Sequence, residues 1–208
     1  YEICACLVGS EMCIRDREII YRRYTYDGKT WSDKEVMLNL KNPFNETRMC
    51  ISPALIYENG IYRMWCSSAE DFEGKHRTIN YYEMIEGTAM FLKSKVHLEK
   101  GTISHLDVIH DNGKYWLIGN DAIVEGNPLK LYSFDSPNDC VYKYEGVVLT
   151  KGKQNQWDDR VTYRPTVAVV EGQLWLYYSA YGSKPNTKNH IGLIKNVSWK
   201  HMLSCYVQ

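Results

Sequence analysis

The 208-residue sequence has no apolar run that approaches the roughly 18–20 residues of a membrane-spanning helix. It also has no excess of charge, because 25 Lys and Arg residues balance 25 Asp and Glu residues. A neutral chain lacks the electrostatic footprint expected of proteins that bind nucleic acid or an anionic membrane. We therefore expect neither nucleic acid nor a membrane among its partners.

Several signatures of catalysis and cofactor binding are also absent. The chain has no GxSxG nucleophile motif, no P-loop, no GxGxxG after a strand and no HExxH motif. Its seven cysteines show no CxxC spacing, and its six histidines do not cluster at metal-ligand spacing. The sequence therefore predicts no cofactor and no metal site. The cysteines leave disulfides undecided and are most simply interpreted as small buried residues.

Aromatic residues and hairpin signals are plentiful. Aromatics make up 13% of the chain, with 17 Tyr, and they suit β-strands. Apolar runs flank three tight-turn signals, at Asn59-Gly60, Asn112-Gly113 and Glu171-Gly172. Aligning these glycines superimposes ISPALIYENGIYRMWCSSA, ISHLDVIHDNGKYWLIGND and YRPTVAVVEGQLWLYYSAY, with turns 53 and then 59 residues apart. Such an internal repeat predicts a solenoid, a propeller or an array.

Each hairpin is followed by further strand-like runs. Thr78–Met84 and Lys95–Leu98 follow the first, Leu129–Phe134 and Glu145–Leu149 follow the second, and only His190–Lys195 follows the third. Four short strands in each repeat are typical of a propeller blade. The apolar residues show no 3.6-residue period, which argues against a helical repeat. We predict an all-β fold, a β-propeller with four-stranded antiparallel blades, and keep a β-sandwich as the alternative.

The prediction divides the chain into a partial blade and three further blades. Because propellers close with about four to eight blades, it indicates an incomplete ring of the five-bladed type, missing its first blades. Leu7–Arg17 resembles one reading frame of a common sequencing adapter, so we expect residues 1–17 to be a non-biological leader. If that leader is real, the alternative is a complete four-bladed propeller. The predicted blades cover residues 18–40 (partial), 46–99, 100–150 and 156–200.

Three stretches resemble a known group of proteins. SPALIYENGIYRMWCSS, SHLDVIHDNGKYWLIGND and WDDRVTYRPTVAVVEGQLWLYYSAYG look like the later blades of five-bladed propellers related to glycoside hydrolase families 43, 32 and 62. The resemblance spans residues 18–196 and is more specific for the fold than for the activity. It implies that the innermost strand of each blade begins at the mouth of a central funnel that receives a sugar. An oligosaccharide or polysaccharide is therefore the expected partner.

The resemblance also implies which residues face that funnel. Asp107 is the expected catalytic carboxylate, one that orients the substrate and tunes the acid. Three of the expected substrate-binding residues share one register in their repeats, and the other two lie just before the third repeat, where Trp157 offers a flat face to a sugar ring. The alternative is that His105 and Arg164 merely bond to neighbouring loops. The expected substrate-binding residues are Ser52, His105, Trp157, Asp158 and Arg164.

Glycoside cleavage usually needs two carboxylates, one that donates a proton and one that activates water or attacks the sugar. The repeat starts Ile51-Ser52-Pro53 and Tyr163-Arg164-Pro165 contain no Glu for the general acid. We expect a glycoside hydrolase-like, carbohydrate-active propeller that acts on or binds a glycan and is inactive as this fragment. The alternatives are a non-catalytic glycan-binding propeller and a protein-interaction scaffold.

Overall fold

The computed structural model describes residues 17–41, 51–69, 77–184, 189–196 and 198–205. The predicted leader, apart from Arg17, lies outside these residues. No helix among the described residues has the length and apolar character needed to cross a membrane. The described chain forms β1 (Arg17–Arg22), β2 (Glu35–Lys41), β3 (Ile51–Glu58), β4 (Ile61–Ala69), β5 (Arg77–Ile85), β6 (Phe91–Val96), β7 (Ile103–Asp111), β8 (Lys114–Asp121), β9 (Leu129–Phe134), β10 (Lys143–Leu149), β11 (Val161–Val170), β12 (Gln173–Tyr181), β13 (His190–Asn196) and α1 (Trp199–Cys205).

The strands form four antiparallel sheets in chain order. The first sheet is β1-β2, the second β3-β4-β5-β6, the third β7-β8-β9-β10 and the fourth β11-β12-β13. Every strand pairs with its neighbour in sequence, so each sheet is a simple meander. The predicted all-β fold with four-stranded antiparallel sheets is confirmed by the second and third sheets.

The fourth sheet ends differently, because the short helix α1 follows its third strand. Trp199 and Met202 lie three residues apart on this helix and are both buried, as expected for side chains that share one helix face. They belong to the apolar cluster between the third and fourth sheets. The helix therefore contributes to the core of the last repeat, a feature that the fading strand pattern did not predict.

The three predicted hairpin turns form with left-handed backbone at both central residues. The values of φ are 52° at Asn59, Asn112 and Glu171, and 79°, 75° and 74° at the glycines that follow them. Two consecutive residues with positive φ define the type I′ turn, whose twist matches that of the flanking strands. The glycine signal in the sequence therefore located each hairpin.

The core lies between consecutive sheets. One cluster joins the first and second sheets through Ile20 and Met64, a second joins the second and third through Trp65 and Leu117, and a third joins the third and fourth through Leu131 and Leu176. The first strands β3, β7 and β11 contact one another in that order. Successive four-stranded meanders that pack face to face, with their first strands adjacent, match the arrangement of neighbouring propeller blades. None of these clusters joins the first sheet to the last within the described residues.

The strand directions define one functional end of this array. Because β3, β7 and β11 begin at the same end, their antiparallel partners β4, β8 and β12 finish at that end. We call this end the entry face, and it is where the sequence places the candidate site residues. Loops held at one end of a rigid sheet scaffold commonly carry function.

Candidate functional site

Each inner strand has the same irregularity at the entry face. The pairing register shifts between Ile51 and Ala54 in β3, between Ile103 and Leu106 in β7, and between Tyr163 and Thr166 in β11. A shift of this kind re-aims the side chains of the inserted residues. Ser52, His105 and Arg164 are equivalent residues within these three shifts; we call them the entry cluster.

The entry cluster connects two neighbouring sheets directly. The Ser52 hydroxyl and Nδ1 of His105 are hydrogen-bonded at 2.5 Å, which joins β3 to β7. The backbone N–H of His105 donates to Oδ1 of Asn120 at 3.3 Å, which fixes the start of β7 against β8. These contacts hold the imidazole in place between two sheets.

Ser52 and Arg164 have unusual backbone conformations. Each has φ of 49°, and each precedes a proline. A residue other than glycine in the left-handed region costs on the order of 1–3 kcal/mol, and such residues concentrate at functional sites. The same strained position therefore recurs in the first and third repeats, at the two residues that flank His105.

The environment of His105 keeps its imidazole neutral. Burial is the main cause that lowers its pKa to about 4, and the positive charges of Arg164 and Arg77 lower it further. At neutral pH the ring can therefore both donate and accept a hydrogen bond. One nitrogen is engaged with Ser52, and Nε2 makes no hydrogen bond with any residue that the structure describes.

Arg164 presents an available guanidinium at the entry face. Its side chain is exposed, and its Cζ atom lies 5.7 Å from the centre of the Tyr163 ring. Within the described ranges it forms no hydrogen bond or ion pair. The alternative that Arg164 bonds to a neighbouring loop is therefore not seen there, whereas His105 does bond a neighbouring sheet.

Asp107 joins the third sheet to the fourth. Its Oδ2 atom accepts hydrogen bonds from Thr166 Oγ1 at 2.7 Å and from the backbone N–H of Val167 at 2.9 Å. Its Oδ1 atom accepts from the backbone N–H of Val108 at 2.9 Å. Burial raises the pKa of the carboxyl, and the three donors oppose that rise. Asp107 thus stabilises the inter-sheet contact, and its catalytic role stays a prediction.

Trp157 and Asp158 lie in the connection between β10 and β11. The Trp157 ring stacks on Tyr178 with centroids 5.7 Å apart, and it remains 38% exposed. Asp158 is buried and accepts a hydrogen bond from the Tyr178 hydroxyl at 3.3 Å. A Cβ atom on Gly152 would lie 2.0 Å from Oδ1 of Asp158, so the loop closes tightly around this carboxylate. Part of the Trp157 ring is therefore accessible to a ligand, whereas the Asp158 carboxylate is buried and hydrogen-bonded to Tyr178.

Sequence reasoning missed two residues near His105. Arg77 begins β5 and acts on the pKa of His105 through its charge, and the Tyr163 ring lies 6.5 Å from the His105 ring. Tyr163 belongs to the third repeat but is not among the expected site residues. Arg77 begins the third strand of its sheet rather than the first, so the repeat alignment gave no signal for it.

A separate pocket lies beside the entry cluster. Its volume is about 480 Å³, and the loops after β8, β10 and β12 contribute to its wall. Glu125 and Lys151 form an ion pair at this wall. Asp159 accepts from the backbone N–H groups of Ser183 at 2.5 Å and Asn155 at 2.6 Å, and these bonds lower its pKa. The pocket is polar but contains none of the entry-cluster residues.

The described residues contain no group of three or more His, Cys, Asp or Glu side chains placed to hold a metal ion. Two cysteines have defined states. Cys66 is buried and disulfide-bonded, and Cys140 is exposed and free. The sequence left disulfides undecided, and the structure shows that Cys66 forms one.

No protein-family model and no curated protein sequence matches the chain. Solved structures do match. The chain superimposes on an N-acetylgalactosamine deacetylase from F. plautii with a TM-score of 0.69 at 15% identity, covering 91% of this chain and 71% of that one. It has a glycoside hydrolase-like propeller fold, as two further solved structures show.

Two glycoside hydrolases show the same propeller. The GH32 β-fructofuranosidase BmSUC1 of Bombyx mori matches with a TM-score of 0.62 at 12% identity, over 90% of this chain and 45% of that one. A thermostable family-43 glycoside hydrolase matches with a TM-score of 0.56 at 16% identity, over 70% of this chain and 47% of that one. The chain thus spans less than half of either hydrolase. At these identities the likeness establishes the propeller fold alone; the five-bladed ring and the missing first blades stay predictions.

Proposed function

We propose that this chain is part of a carbohydrate-active propeller that binds a glycan in a central funnel at the entry face. The observation that carries the proposal is the convergence of Ser52, His105 and Arg164 from three successive inner strands at one end of the fold. Polar groups that converge from a rigid scaffold are typical of ligand sites. The fold supports the choice of ligand by analogy, since one solved neighbour is in complex with blood group B trisaccharide.

The contacts of the described carboxylates favour glycan binding over glycoside hydrolysis as the proposed function. Cleavage usually needs two carboxyl groups that flank the glycosidic bond. Asp107, Asp158 and Asp159 all accept hydrogen bonds from the chain itself. None of the three is shown as one of a pair that flanks a bound sugar, so glycan binding is the function we propose for the described part of the chain. For a cleaving form of the protein, we propose that Asp107 orients the substrate.

Binding of oligosaccharides to the chain, measured by calorimetry, tests the proposal. We expect His105→Ala to weaken glycan binding about tenfold or more, because it removes a hydrogen-bonding group and leaves the Ser52 hydroxyl without its partner. His110→Ala is the matched control, since it lies on the same strand at the opposite end and contacts Glu58. Equal weakening by both variants, or no binding to any glycan, would contradict a glycan site at the entry face. Capture of a protein partner at this face instead would support the scaffold alternative.

A further inference from the structure

Two arginine side chains lie close to His105 in the entry cluster. Arg164 and Arg77 both carry permanent charges, and both are close enough to His105 to lower its pKa. Nearby carboxylates that the structure describes are engaged elsewhere: Asp107 accepts three hydrogen bonds from β7 and β11, and Asp121 pairs with Lys130 at 2.6 Å. No described carboxylate neutralises the guanidinium of Arg164.

Two uncharged groups of the entry cluster, His105 and Ser52, add hydrogen-bonding capacity beside the Arg164 guanidinium. His105 is uncharged at neutral pH, so it adds hydrogen-bonding capacity without further positive charge. The Ser52 hydroxyl lies beside the ring, and the nitrogen on the far side of the ring has no described partner. A hydroxyl, an imidazole and a guanidinium together offer donors of the kind that surround bound oxyanions.

Arg164 is the residue of the entry cluster whose chemistry distinguishes a charged ligand from a neutral one. The guanidinium is planar, always charged, and presents donors in a fork that matches two oxygens of a carboxylate, sulfate or phosphate. Arg164 lies at the entry face with an exposed side chain and a left-handed backbone, with φ of 49°, and Ser52 has the same backbone conformation.

We propose that the entry cluster of Ser52, His105 and Arg164 binds an oxyanion group carried by the glycan. This inference rests on the proposed function, and it narrows the substrate class to acidic or charged sugars. The group is the carboxylate of a uronic acid, a sulfate ester or a phosphate, because the three share the same recognition chemistry. A neutral glycan would leave Arg164 without a counter-charge.

Calorimetric titration of the full chain with matched ligand pairs tests the proposal. One pair is trigalacturonic acid and its methyl ester, a second is a sulfated oligosaccharide and its unsulfated parent, and inorganic phosphate is titrated alone. We expect one charged ligand to bind at least tenfold more tightly than its neutral partner. That preference should weaken as salt is added, because the charged groups become screened.

Variants connect the preference to the cluster. Arg164→Gln should reduce affinity for the charged ligand about 10- to 100-fold, the range expected for a lost charge-assisted hydrogen bond. Arg164→Lys keeps the charge but loses the fork, and it should retain part of the affinity. Arg160→Gln is the matched control, because Arg160 lies just before the same strand and its Cζ atom is 5.5 Å from the Tyr181 ring. Thermal unfolding of each variant identifies any that fails to fold.

The outcomes separate this inference from the proposed function. Equal binding of charged and neutral glycans would overturn the oxyanion site and leave glycan binding intact. Arg164-dependent binding of phosphate without binding of any glycan would support the oxyanion site and remove the proposed function. An absence of binding to every glycan and to phosphate would overturn both. The ligand pair that shows the preference identifies the source of the oxyanion.

Discussion

At the residue scale, two partly buried polar contacts join the inner strands of neighbouring sheets. The Ser52 hydroxyl bonds His105 between the second and third sheets, and Asp107 bonds Thr166 and Val167 between the third and fourth. Both contacts lie near the starts of the strands, where the backbone register shifts. Polar groups removed from water are stable there only because each has its partner.

The Asp107 carboxylate should be sensitive to a change that preserves its shape. In Asp107→Asn, the amide nitrogen must face the N–H of Val108 or the N–H of Val167, and neither can accept a hydrogen bond. We expect the free energy of unfolding to fall by about 1–3 kcal/mol in urea titrations. Asp135→Asn, at a carboxylate in an exposed ion pair with Lys114, should change it by less than about 0.5 kcal/mol. Wild-type stability of Asp107→Asn would show that the inter-sheet bonds contribute little.

The pKa of His105 predicts a pH dependence of stability. The folded state keeps the ring neutral down to about pH 4, whereas an unfolded chain protonates histidine near 6.5. The unfolded state therefore binds more protons between these values, and the free energy of unfolding should decrease as the pH falls from about 6.5 to about 4. The contribution is complete above the higher value.

His105→Gln should reduce this pH dependence, measured by urea unfolding at several pH values. Arg164→Gln is the informative comparison, because burial is the larger cause of the shift and the arginine charge the smaller. That variant should keep most of the slope. An unchanged slope in His105→Gln would assign the pH dependence to other groups.

At the element scale, the two-residue turns specify the hairpins. The third turn has the least favourable residue for its backbone conformation. Glu171 adopts φ of 52° in a turn where the other two repeats have asparagine. Asparagine and glycine tolerate the left-handed region better than glutamate does. The apolar residues of β11 and β12 nevertheless allow the hairpin to form without asparagine at this position.

Replacing Glu171 with Asn should therefore stabilise the protein. We expect the free energy of unfolding to rise by a few tenths to about 1 kcal/mol, with a matching rise in Tm. Glu171→Ala is the control, because alanine removes the same charge but has no preference for positive φ. If both variants gain equally, the loss of the surface charge and not the backbone conformation is responsible.

At the scale of the whole molecule, the sheets depend on one another because they share their cores. Trp65 from the second sheet and Leu117 from the third lie in one cluster, and both are fully buried. A single four-stranded sheet exposes two faces and cannot bury both alone. Stacking consecutive sheets buries the faces between them, as in other repeat architectures.

A cavity in one shared core should therefore weaken two sheets. Leu117→Ala is expected to lower the free energy of unfolding by about 2–5 kcal/mol, and hydrogen exchange should increase in both β3–β6 and β7–β10. Leu92→Ala, at a side chain that is 40% exposed on β6, should cost much less. Faster exchange confined to β7–β10 would show that the sheets are independent units.

The local features of this protein follow from short stretches of its sequence. Paired turn residues and alternating apolar runs specified the hairpins, and the spacing of the turns specified repeated sheets. The same alignment placed Ser52, His105 and Arg164 at equivalent positions, because residues in equivalent registers of a repeated strand occupy equivalent places. The turn and strand signals each depend on residues within a few positions of one another, which is why they can be recognised in the sequence without a structure.

The contacts of those side chains depend instead on how the sheets pack in three dimensions. The carboxylate of Asp107 bonds a strand 59 residues later in the sequence, and Arg77 reaches the environment of His105 from a third strand. The helix α1 likewise forms where its two buried residues meet the core of the last repeats. Such contacts depend on the packing of one sheet against the next, and long-range packing leaves no periodic signal in a single sequence.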